Sequence, residues 1–262
     1  MSESSTEPES PEELQRRYYR ETSAAYDRSH IDPAAEQEHS VALAAMSGLS
    51  EHFGVRTLLD VGSGTGRVLR HFLSSGRRFE RLLGVEPVPE LRQAGHAAGV
   101  PPEQLIEGDA LSLRFADGEF DLVCAFGILH HIRDPDRAIR EMFRVARHGV
   151  CLSDMNNFGC GSPVARILKR TIRALGLWGV TQFVATRGKG YKFSAGDGIH
   201  YSYSLFDSLP TIREYCREPI LVTTKGFGVN PFHSCSHVAC YAVKNQSRDC
   251  STIPAAEAPV AH

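Results

Sequence analysis

Short apolar runs alternate with segments of helical spacing over residues 57–152, and this rhythm narrows the folds that the chain can adopt. Thr57–Val61 is an apolar run that ends in a glycine-rich turn, and Gly66–Leu73 then spaces its apolar residues as one face of a helix. Phe120–Phe126 is too apolar for an exposed edge strand, as expected of a buried parallel strand. The other predicted strands are Leu82–Val85, Gln104–Ile106, Val150–Leu152, Ile220–Thr224 and 236–243. The alternation predicts an α/β fold on a mostly parallel sheet.

The 262 residues are enough for one large domain or two small ones. Residues 1–13 are rich in Ser, Glu and Pro and are predicted to be a disordered acidic tail, and residues 245–262 are predicted to be a second tail. One domain is expected over 14–244. Within it, residues 155–218 break the strand–helix rhythm and are too long for an ordinary connection. We interpret them as an insert of helices and loops that caps the carboxyl edge of the sheet over the substrate.

Charge and cysteine content exclude several classes of protein. Lys plus Arg is 29 and Asp plus Glu is 31, a formal net charge of −2, which disfavours general nucleic-acid binding. No apolar run of 18 residues occurs, so no membrane span is expected. The seven cysteines form no C-x-x-C pair, and the amino terminus lacks the pattern of a secretory signal. Reduced thiols and a cytoplasmic location are therefore expected.

The sharpest motif is LLDVGSGTG, Leu58 to Gly66, between a predicted strand and a predicted helix. Its glycines allow a tight turn and a close approach of the backbone to a ligand. The dinucleotide fingerprint needs a third glycine at position 67, where Arg67 stands, and the Gly-Lys-Ser/Thr of a phosphate loop is absent. The carboxylate of Asp60 would repel a pyrophosphate but attract an ammonium group.

Two further acids support the same ligand. Glu86 ends the second strand, 24 residues after Gly62, where an acid can bind both hydroxyls of a ribose. Asp109 follows the third strand and could accept a hydrogen bond from the exocyclic amine of a purine. The site thus offers groups for an amine, a ribose and an adenine and none for a phosphate. S-adenosylmethionine has these parts.

At this point the chain resembles the class I S-adenosylmethionine-dependent methyltransferases, in the type 11 branch related to the ubiquinone and menaquinone methylases. The matching segments cover about residues 55–155 in the family's order; they are LLDVGSGTG, GVEP at Gly84–Pro87, GDA at 108–110, FDLVCAFGILHHI at Phe120–Ile132 and DPDRAIREMFRV at Asp134–Val145. The family's Leu-Lys-Pro-Gly-Gly turn is replaced by Ala146-Arg147-His148-Gly149, which keeps a glycine.

The resemblance implies a Rossmann-like seven-stranded sheet with helices on both faces and an antiparallel last strand. It implies S-adenosylmethionine as cofactor and S-adenosylhomocysteine as product. In relatives an amino-terminal helix folds over the cofactor, which adds two tyrosines to the contacts. The expected cofactor-binding residues are Tyr19, Tyr26, Asp60, Gly62, Ser63, Gly64, Gly66, Glu86, Pro87, Asp109, Ala110, Phe126 and Gly127.

Methyl transfer from a sulfonium needs alignment of donor and acceptor, and a base if the acceptor must lose a proton. His130 and His131 stand at the end of the fourth strand, and the unperturbed pKa of histidine lies near neutrality. Asp154 follows the fifth strand at the same edge, so it could orient a histidine. These three are the predicted catalytic residues, with His130 the first candidate for the base. The alternative is that one histidine only caps a helix or packs under the cofactor.

The insert contains glycines beside Tyr and Lys, which is typical of a mobile lid over a polar substrate and compatible with an anionic one. The predicted substrate-binding residues are Lys189, Tyr191, Tyr201 and Tyr203. A helix at Pro163–Leu177 has an apolar side and a basic side, and the basic side is expected to be a solvated face, with a membrane-surface role as the alternative. No metal is expected, because His233, Cys235 and His237 lack a fourth ligand.

The motifs of adenine N6- and cytosine C5-methylases are absent after the fourth strand, where the chain reads Ala125-Phe126-Gly127-Ile128. A small-molecule acceptor is therefore favoured. No nucleic-acid partner and no membrane span are expected, and the protein is expected to be a monomer or a homodimer. Oxygen is the preferred acceptor because a hydroxyl needs a base. Methylation of nitrogen, sulfur or carbon stays open, as do an RNA or protein methyltransferase and a regulator that binds the cofactor without methylating.

Overall fold

The computed structural model describes residues 9–23, 33–224 and 230–245, with the side chains of 33–38 left aside. The helices in this part of the chain are α1 (Pro11–Thr22), α2 (Pro33–His52), α3 (Arg67–Ser74), α4 (Pro89–Ala97), α5 (Pro135–Val145), α6 (Pro163–Ala174), α7 (Trp178–Ala185) and α8 (Leu209–Tyr215). The strands are β1 (Thr57–Val61), β2 (Arg81–Val85), β3 (Leu105–Ile106), β4 (Phe120–Phe126), β5 (Ala146–Met155), β6 (Tyr191–Ser194), β7 (Gly198–Tyr201), β8 (Ile220–Thr223) and β9 (His237–Val243).

Seven strands form one sheet in the order β3-β2-β1-β4-β5-β9-β8. The first five pair in parallel, and β9 runs antiparallel to both β5 and β8. The order reverses between β1 and β4, which brings the ends of these strands together at a crevice where open α/β sheets bind ligands. The predicted seven-stranded sheet with an antiparallel last strand is confirmed.

Alternation along the central strands builds a core on each face of the sheet. Val123 and Ala125 of β4 pack into the cluster that contains Phe143 of α5, while Leu122 packs on the other face with Phe72 of α3. All five side chains are almost completely buried. Because successive strand residues point to opposite faces, a strand with apolar residues on both faces lies between two layers of helices.

Residues between β5 and α8 contain two helices, α6 and α7, and a separate two-stranded hairpin of β6 and β7. The hairpin packs on α1: Tyr18 donates a hydrogen bond from its hydroxyl to the Ala195 carbonyl at 3.0 Å. The ring of Phe193 meets the Tyr18 ring edge-on, with centroids 5.7 Å apart. The amino-terminal helix and the insert therefore meet above the carboxyl edge of the sheet. Within the described ranges, no helix is long and apolar enough to cross a bilayer.

Candidate active site

A cavity of about 400 Å³ lies at the carboxyl ends of β1, β2 and β4. The glycine loop after β1 forms its floor, and side chains of α1, among them Gln15, Arg16 and Tyr19, line it from the other side. Its size is that of a site for a small ligand. The cavity has one half beside the glycine loop and a second half beside His130 and His131.

The glycine loop is held open by the backbone of β2. The amides of Gly62 and Ser63 donate to the carbonyl of Val85 at 2.9 and 3.0 Å. Gly62 has φ +67°, a conformation that side chains disfavour, and a Cβ there would lie 2.7 Å from the Ile128 side chain. This position therefore requires glycine, and the loop keeps its backbone toward the cavity.

Buried carboxylates face the first half of the cavity. Burial raises the pKa of Asp60 to about 7, although the Ser63 hydroxyl donates to it at 2.5 Å. Burial also raises the pKa of Glu86, against the amides of Val88 and Gly64 that donate to its two oxygens at 3.0 and 2.9 Å. Asp109 is half exposed at the rim and accepts from the Leu111 amide. Two desolvated carboxylates exclude a phosphate and fit an ammonium and a ribose.

Two other observations fit this ligand class. The Nδ1 atom of His39 lines the cavity region and is buried without a hydrogen-bond partner among the described residues. Burial lowers the pKa of His39 to about 3, so its ring is neutral. Gly127, with φ +69°, brings its backbone to the same cavity, as do Phe126, Pro87 and Ala110. These groups leave room and polar atoms for the cofactor expected from the sequence.

A buried ion pair anchors the second half. The Nδ1 atom of His130 lies 2.8 Å from Oδ1 of Asp154, whose other oxygen accepts from the Leu129 amide at 2.8 Å. On the opposite side of the ring, Nε2 lies 3.4 Å from Oδ2 of Asp197. Burial alone would lower the pKa of His130, but Asp154 and then Asp197 outweigh it and raise this pKa to about 10. At neutral pH His130 is an imidazolium between two carboxylates.

His131 has the opposite electrostatic state. Its Nδ1 donates to the Ile199 carbonyl at 2.5 Å, which leaves the lone pair of Nε2 toward the cavity. That Nε2 lies 3.1 Å from the Tyr19 hydroxyl and 3.4 Å from Oδ1 of Asp197. Burial, and then the positive charge of His130, lower the pKa of His131. The neighbouring histidines therefore differ at neutral pH: one holds a proton, and the other can accept one.

The structure brings most of the predicted site residues together. The predicted residues that line the cavity are Tyr19, Asp60, Gly62, Ser63, Gly64, Glu86, Pro87, Asp109, Ala110, Phe126, Gly127, His130 and His131. Gly66 begins α3 beneath the loop. Tyr26 lies outside the described residues, so its predicted contact stays a prediction.

The four predicted substrate-binding residues lie elsewhere. Tyr203 is buried in the core, and its hydroxyl donates to Ser208 at 3.1 Å. Tyr191 and Tyr201 face each other on the β6–β7 hairpin, with ring centroids 6.3 Å apart. None of these, nor Lys189, lines the cavity in the described part of the chain. Asp197, in the turn between β6 and β7, does line it, as does Met155 at the start of the insert.

Sequence reasoning passed over several residues that line the site, namely Gln15, His39, Arg67 and His237, besides Asp197. Gln15 fixes Asp197: it accepts from the Ile199 amide at 2.5 Å, and its amide nitrogen donates to the Asp197 carbonyl at 3.4 Å. Arg67 carried a signal, because a cation replaces the third glycine at the start of α3. No sequence pattern pointed to Gln15 or Asp197, because nothing in the sequence shows that α1 and the hairpin meet.

His130, His131 and Asp197 each place one ligand atom within 4.8 Å of the others, a set that could hold a divalent ion. A protonated His130 has no lone pair for a metal, so the expectation of no metal stays a prediction. His233, Cys235 and His237 form no such set within the described ranges.

Comparisons with known proteins match this chain to methyltransferases. A family model described as a methyltransferase domain matches residues 59–153. An uncharacterized methyltransferase of Mycobacterium sp. (strain KMS) is 40% identical over 96 residues, which are 37% of this chain and 36% of that protein. The match with this relative therefore covers little more than a third of its length.

Solved structures extend the likeness to nearly the whole fold. An S-adenosylmethionine-dependent methyltransferase of Thermotoga maritima, described as a possible histamine N-methyltransferase, superimposes with a TM-score of 0.57 at 17% identity, covering 87% of this chain and 99% of that chain. Magnesium protoporphyrin IX methyltransferase from Synechocystis PCC 6803, solved with bound SAH, gives a TM-score of 0.57 at 12% identity, covering 88% and 98%. At these identities the likeness shows the fold alone.

Proposed function

We propose that this chain transfers a methyl group from S-adenosylmethionine to a small-molecule acceptor, because residues 59–153 match a methyltransferase-domain model and the fold is that of S-adenosylmethionine-dependent methyltransferases. The preferred acceptor atom is a hydroxyl oxygen. One observation carries this choice: a neutral His131, held by the Ile199 carbonyl, turns its unprotonated Nε2 toward the cavity beside an ionised His130.

The half of the cavity beside the glycine loop, which we call the cofactor half, would bind and orient S-adenosylmethionine. Asp60 and the loop glycines would hold the methionine part, Glu86 would accept hydrogen bonds from the ribose hydroxyls, and Asp109 would accept from the adenine amine. Arg67, at the start of α3, also faces this half and could pair with a carboxylate. When bound, S-adenosylmethionine supplies a methyl group activated by the sulfonium charge. The chain therefore needs no Lewis acid of its own for that half of the reaction.

The half of the cavity beside His130 and His131, which we call the acceptor half, would supply the base that takes the proton from the methyl acceptor. In the proposed step the acceptor O–H gives its proton to Nε2 of His131 while the new C–O bond forms and the C–S bond breaks. Asp197 lies 3.4 Å from the same Nε2, so its negative charge stabilises the imidazolium that results. The Tyr19 hydroxyl lies 3.1 Å from Nε2, so this nitrogen is within reach of a hydroxyl group. His130 acts through Asp197 and the field at His131, which makes it a positioning residue.

A nitrogen acceptor is the second candidate, and Asp197 is the observation that favours it. Its carboxylate faces the cavity; burial would raise its pKa, but a hydrogen bond from the protonated His130 and the nearby positive charge outweigh burial and hold this pKa below the ordinary value. A permanently ionised carboxylate can bind an ammonium, and His131 could take its proton before transfer. The relative from Thermotoga maritima is described as a possible N-methyltransferase.

The function is tested by incubating the protein with S-adenosylmethionine and separate pools of hydroxyl-bearing and amine-bearing metabolites. We expect S-adenosylhomocysteine to form with the hydroxyl pool, and mass spectrometry to show one added methyl group on one of its members. Product in the amine pool alone would select the second candidate. Label found only in RNA or protein, or tight cofactor binding without any product, would overturn the small-molecule proposal.

Glu86→Ala should weaken S-adenosylhomocysteine binding by about 10- to 100-fold, because hydrogen bonds to a charged group contribute about 1.5–3 kcal/mol. Isothermal titration calorimetry measures the change. Glu107→Ala is the matched control, since Glu107 follows the neighbouring parallel strand β3 with its side chain 72% exposed. An equal dissociation constant for both variants would remove Glu86 from the ribose site.

A further inference from the structure

The segment of α6 and α7 carries the largest group of exposed apolar side chains in the described part of the chain. Eight large apolar residues between 163 and 185 are 51% to 76% exposed; they are Val164, Ile167, Leu168, Leu175, Leu177, Val180, Phe183 and Val184. The described residues contain fourteen such side chains, so more than half lie in the segment formed by these two helices and the turn between them. A concentration of exposed apolar side chains of this kind marks an interaction site. We call these eight residues the apolar face.

The basic side of α6 is turned toward the protein, which is the reverse of the expected solvated face. Lys169 donates to the Asn157 carbonyl at 2.9 Å and to the Cys160 carbonyl at 3.3 Å. Arg173 lies over the Phe158 ring at 4.4 Å and pairs with Asp207. A surface helix normally buries its apolar stripe and exposes its charges. Here the domain holds the charged side, so the helix presents its apolar face outward.

Charge in the same segment is of one sign. Residues 155–196 contain seven Lys and Arg and no Asp or Glu, although the whole chain is slightly acidic. Arg187, Lys189 and Lys192 are exposed next to α7, and none of them pairs with a carboxylate among the described residues. The apolar face is therefore bordered by unneutralised cations.

These features decide which partner covers the face. A second copy, packed symmetrically, would oppose the same cations on both sides of the interface, which costs energy in a low dielectric. Nucleic acid would neutralise the cations but leave the apolar side chains without apolar contact. An anionic lipid surface fits both, because apolar side chains enter the acyl boundary while Lys and Arg meet the head groups.

We propose that α6 and α7 dock the protein on anionic membranes, lying in the interface without crossing it. The docking residues lie outside the cavity, so this proposal does not depend on methyl transfer. It does concern access to the site: α6 follows the end of β5, which carries Asp154, and α7 precedes the hairpin that carries Asp197. Docking would place these two flanks of the acceptor half near the lipid surface.

The proposal is tested by sedimentation of the full chain with phosphatidylcholine vesicles that contain or lack phosphatidylglycerol. We expect sedimentation with the anionic vesicles and its decrease as salt rises. The double variant Phe183→Ser, Val184→Ser should bind about tenfold or more weakly, because the two serines no longer transfer apolar surface into the acyl boundary. The variant Arg187→Gln, Lys192→Gln should also bind about tenfold more weakly at low salt and differ less at high salt.

The matched control is Val41→Ser, Leu73→Ser, which removes two apolar side chains, 40% and 43% exposed, from another part of the surface. It should sediment like the unmodified chain. Equal vesicle binding by all variants, or none by the unmodified chain, would overturn the proposal. Light scattering measures the oligomeric state and so tests whether a second copy covers the apolar face. If the unmodified chain is a dimer that Phe183→Ser, Val184→Ser dissociates, and no vesicle binding is seen, the face belongs to a second copy.

Discussion

His131→Ala should lower turnover at saturating acceptor by about 10²- to 10⁴-fold, the range typical of a lost general base. The physical reason is that Nε2 of His131 is the neutral imidazole nitrogen directed at the cavity, while His130 is already protonated. The dissociation constant for S-adenosylhomocysteine should change little, because His131 faces the acceptor half. Steady-state kinetics and calorimetry on the same preparation measure both.

Two variants separate the base from a structural role. His131→Gln keeps a donor for the Ile199 carbonyl but has no basic nitrogen, so it should be as slow as His131→Ala. His130→Gln should retain more activity and shift the acid limb of the kcat/KM profile to higher pH, because the His130 charge no longer lowers the pKa of His131. EDTA should leave turnover unchanged. Normal turnover in His131→Gln would remove His131 as the base, and loss of activity in EDTA would point to a metal on the two histidines.

Asp154→Ala should destabilise the protein by about 3–5 kcal/mol, the usual effect of removing one partner of a buried ion pair. Asp154 is completely buried, and its carboxylate holds the His130 ring as well as the amides of Leu129 and Met155. Burial would raise the pKa of Asp154, but the charge of His130 outweighs it and lowers this pKa. Urea unfolding followed by circular dichroism measures the difference.

The pH dependence of this effect has a definite sign. A His130 pKa raised to about 10 stabilises the folded state fully below the unfolded value of about 6.5, and this stabilisation disappears as the pH rises through about 10. The difference in the free energy of unfolding between the unmodified protein and Asp154→Ala should therefore be larger at pH 6 than at pH 9. Asp117→Ala is the control, since Asp117 pairs with Arg144 at 2.8 Å but is 80% exposed, and should cost at most about 1 kcal/mol. A gap that small for Asp154→Ala, or one independent of pH, would contradict the ion pair.

The sheet could be predicted because its signals are local. Phe120–Phe126 is apolar at every position except Asp121, which fits a strand with helices on both faces, and the structure buries it in that way. The glycine turn, Glu86 and Asp109 follow successive strand ends, and parallel pairing brings such ends to one edge. Position along the chain was therefore enough to place the cofactor half.

The acceptor half depends on contacts between distant segments. Asp197 reaches the histidines because Gln15 of α1 binds the hairpin, and neither residue has a pattern that predicts the other. His130 and His131 are indistinguishable in the sequence; their pKa values separate because Asp154 and Asp197 lie on either side of one ring. Likewise, the spacing of α6 defines two faces but not which one meets the domain. Lys169 and the carbonyls of Asn157 and Cys160 decide that.

The position of α1 couples the two ligands of the cavity. On the cofactor side Arg20 reaches Glu90 of α4 at 3.3 Å, and on the acceptor side Gln15 and Tyr18 hold the hairpin that carries Asp197. If a bound cofactor orders α1 in this position, it also orders the hairpin that completes the acceptor half. The binding free energies of the two ligands would then be linked, and by thermodynamic reciprocity each ligand would tighten the other by the same factor.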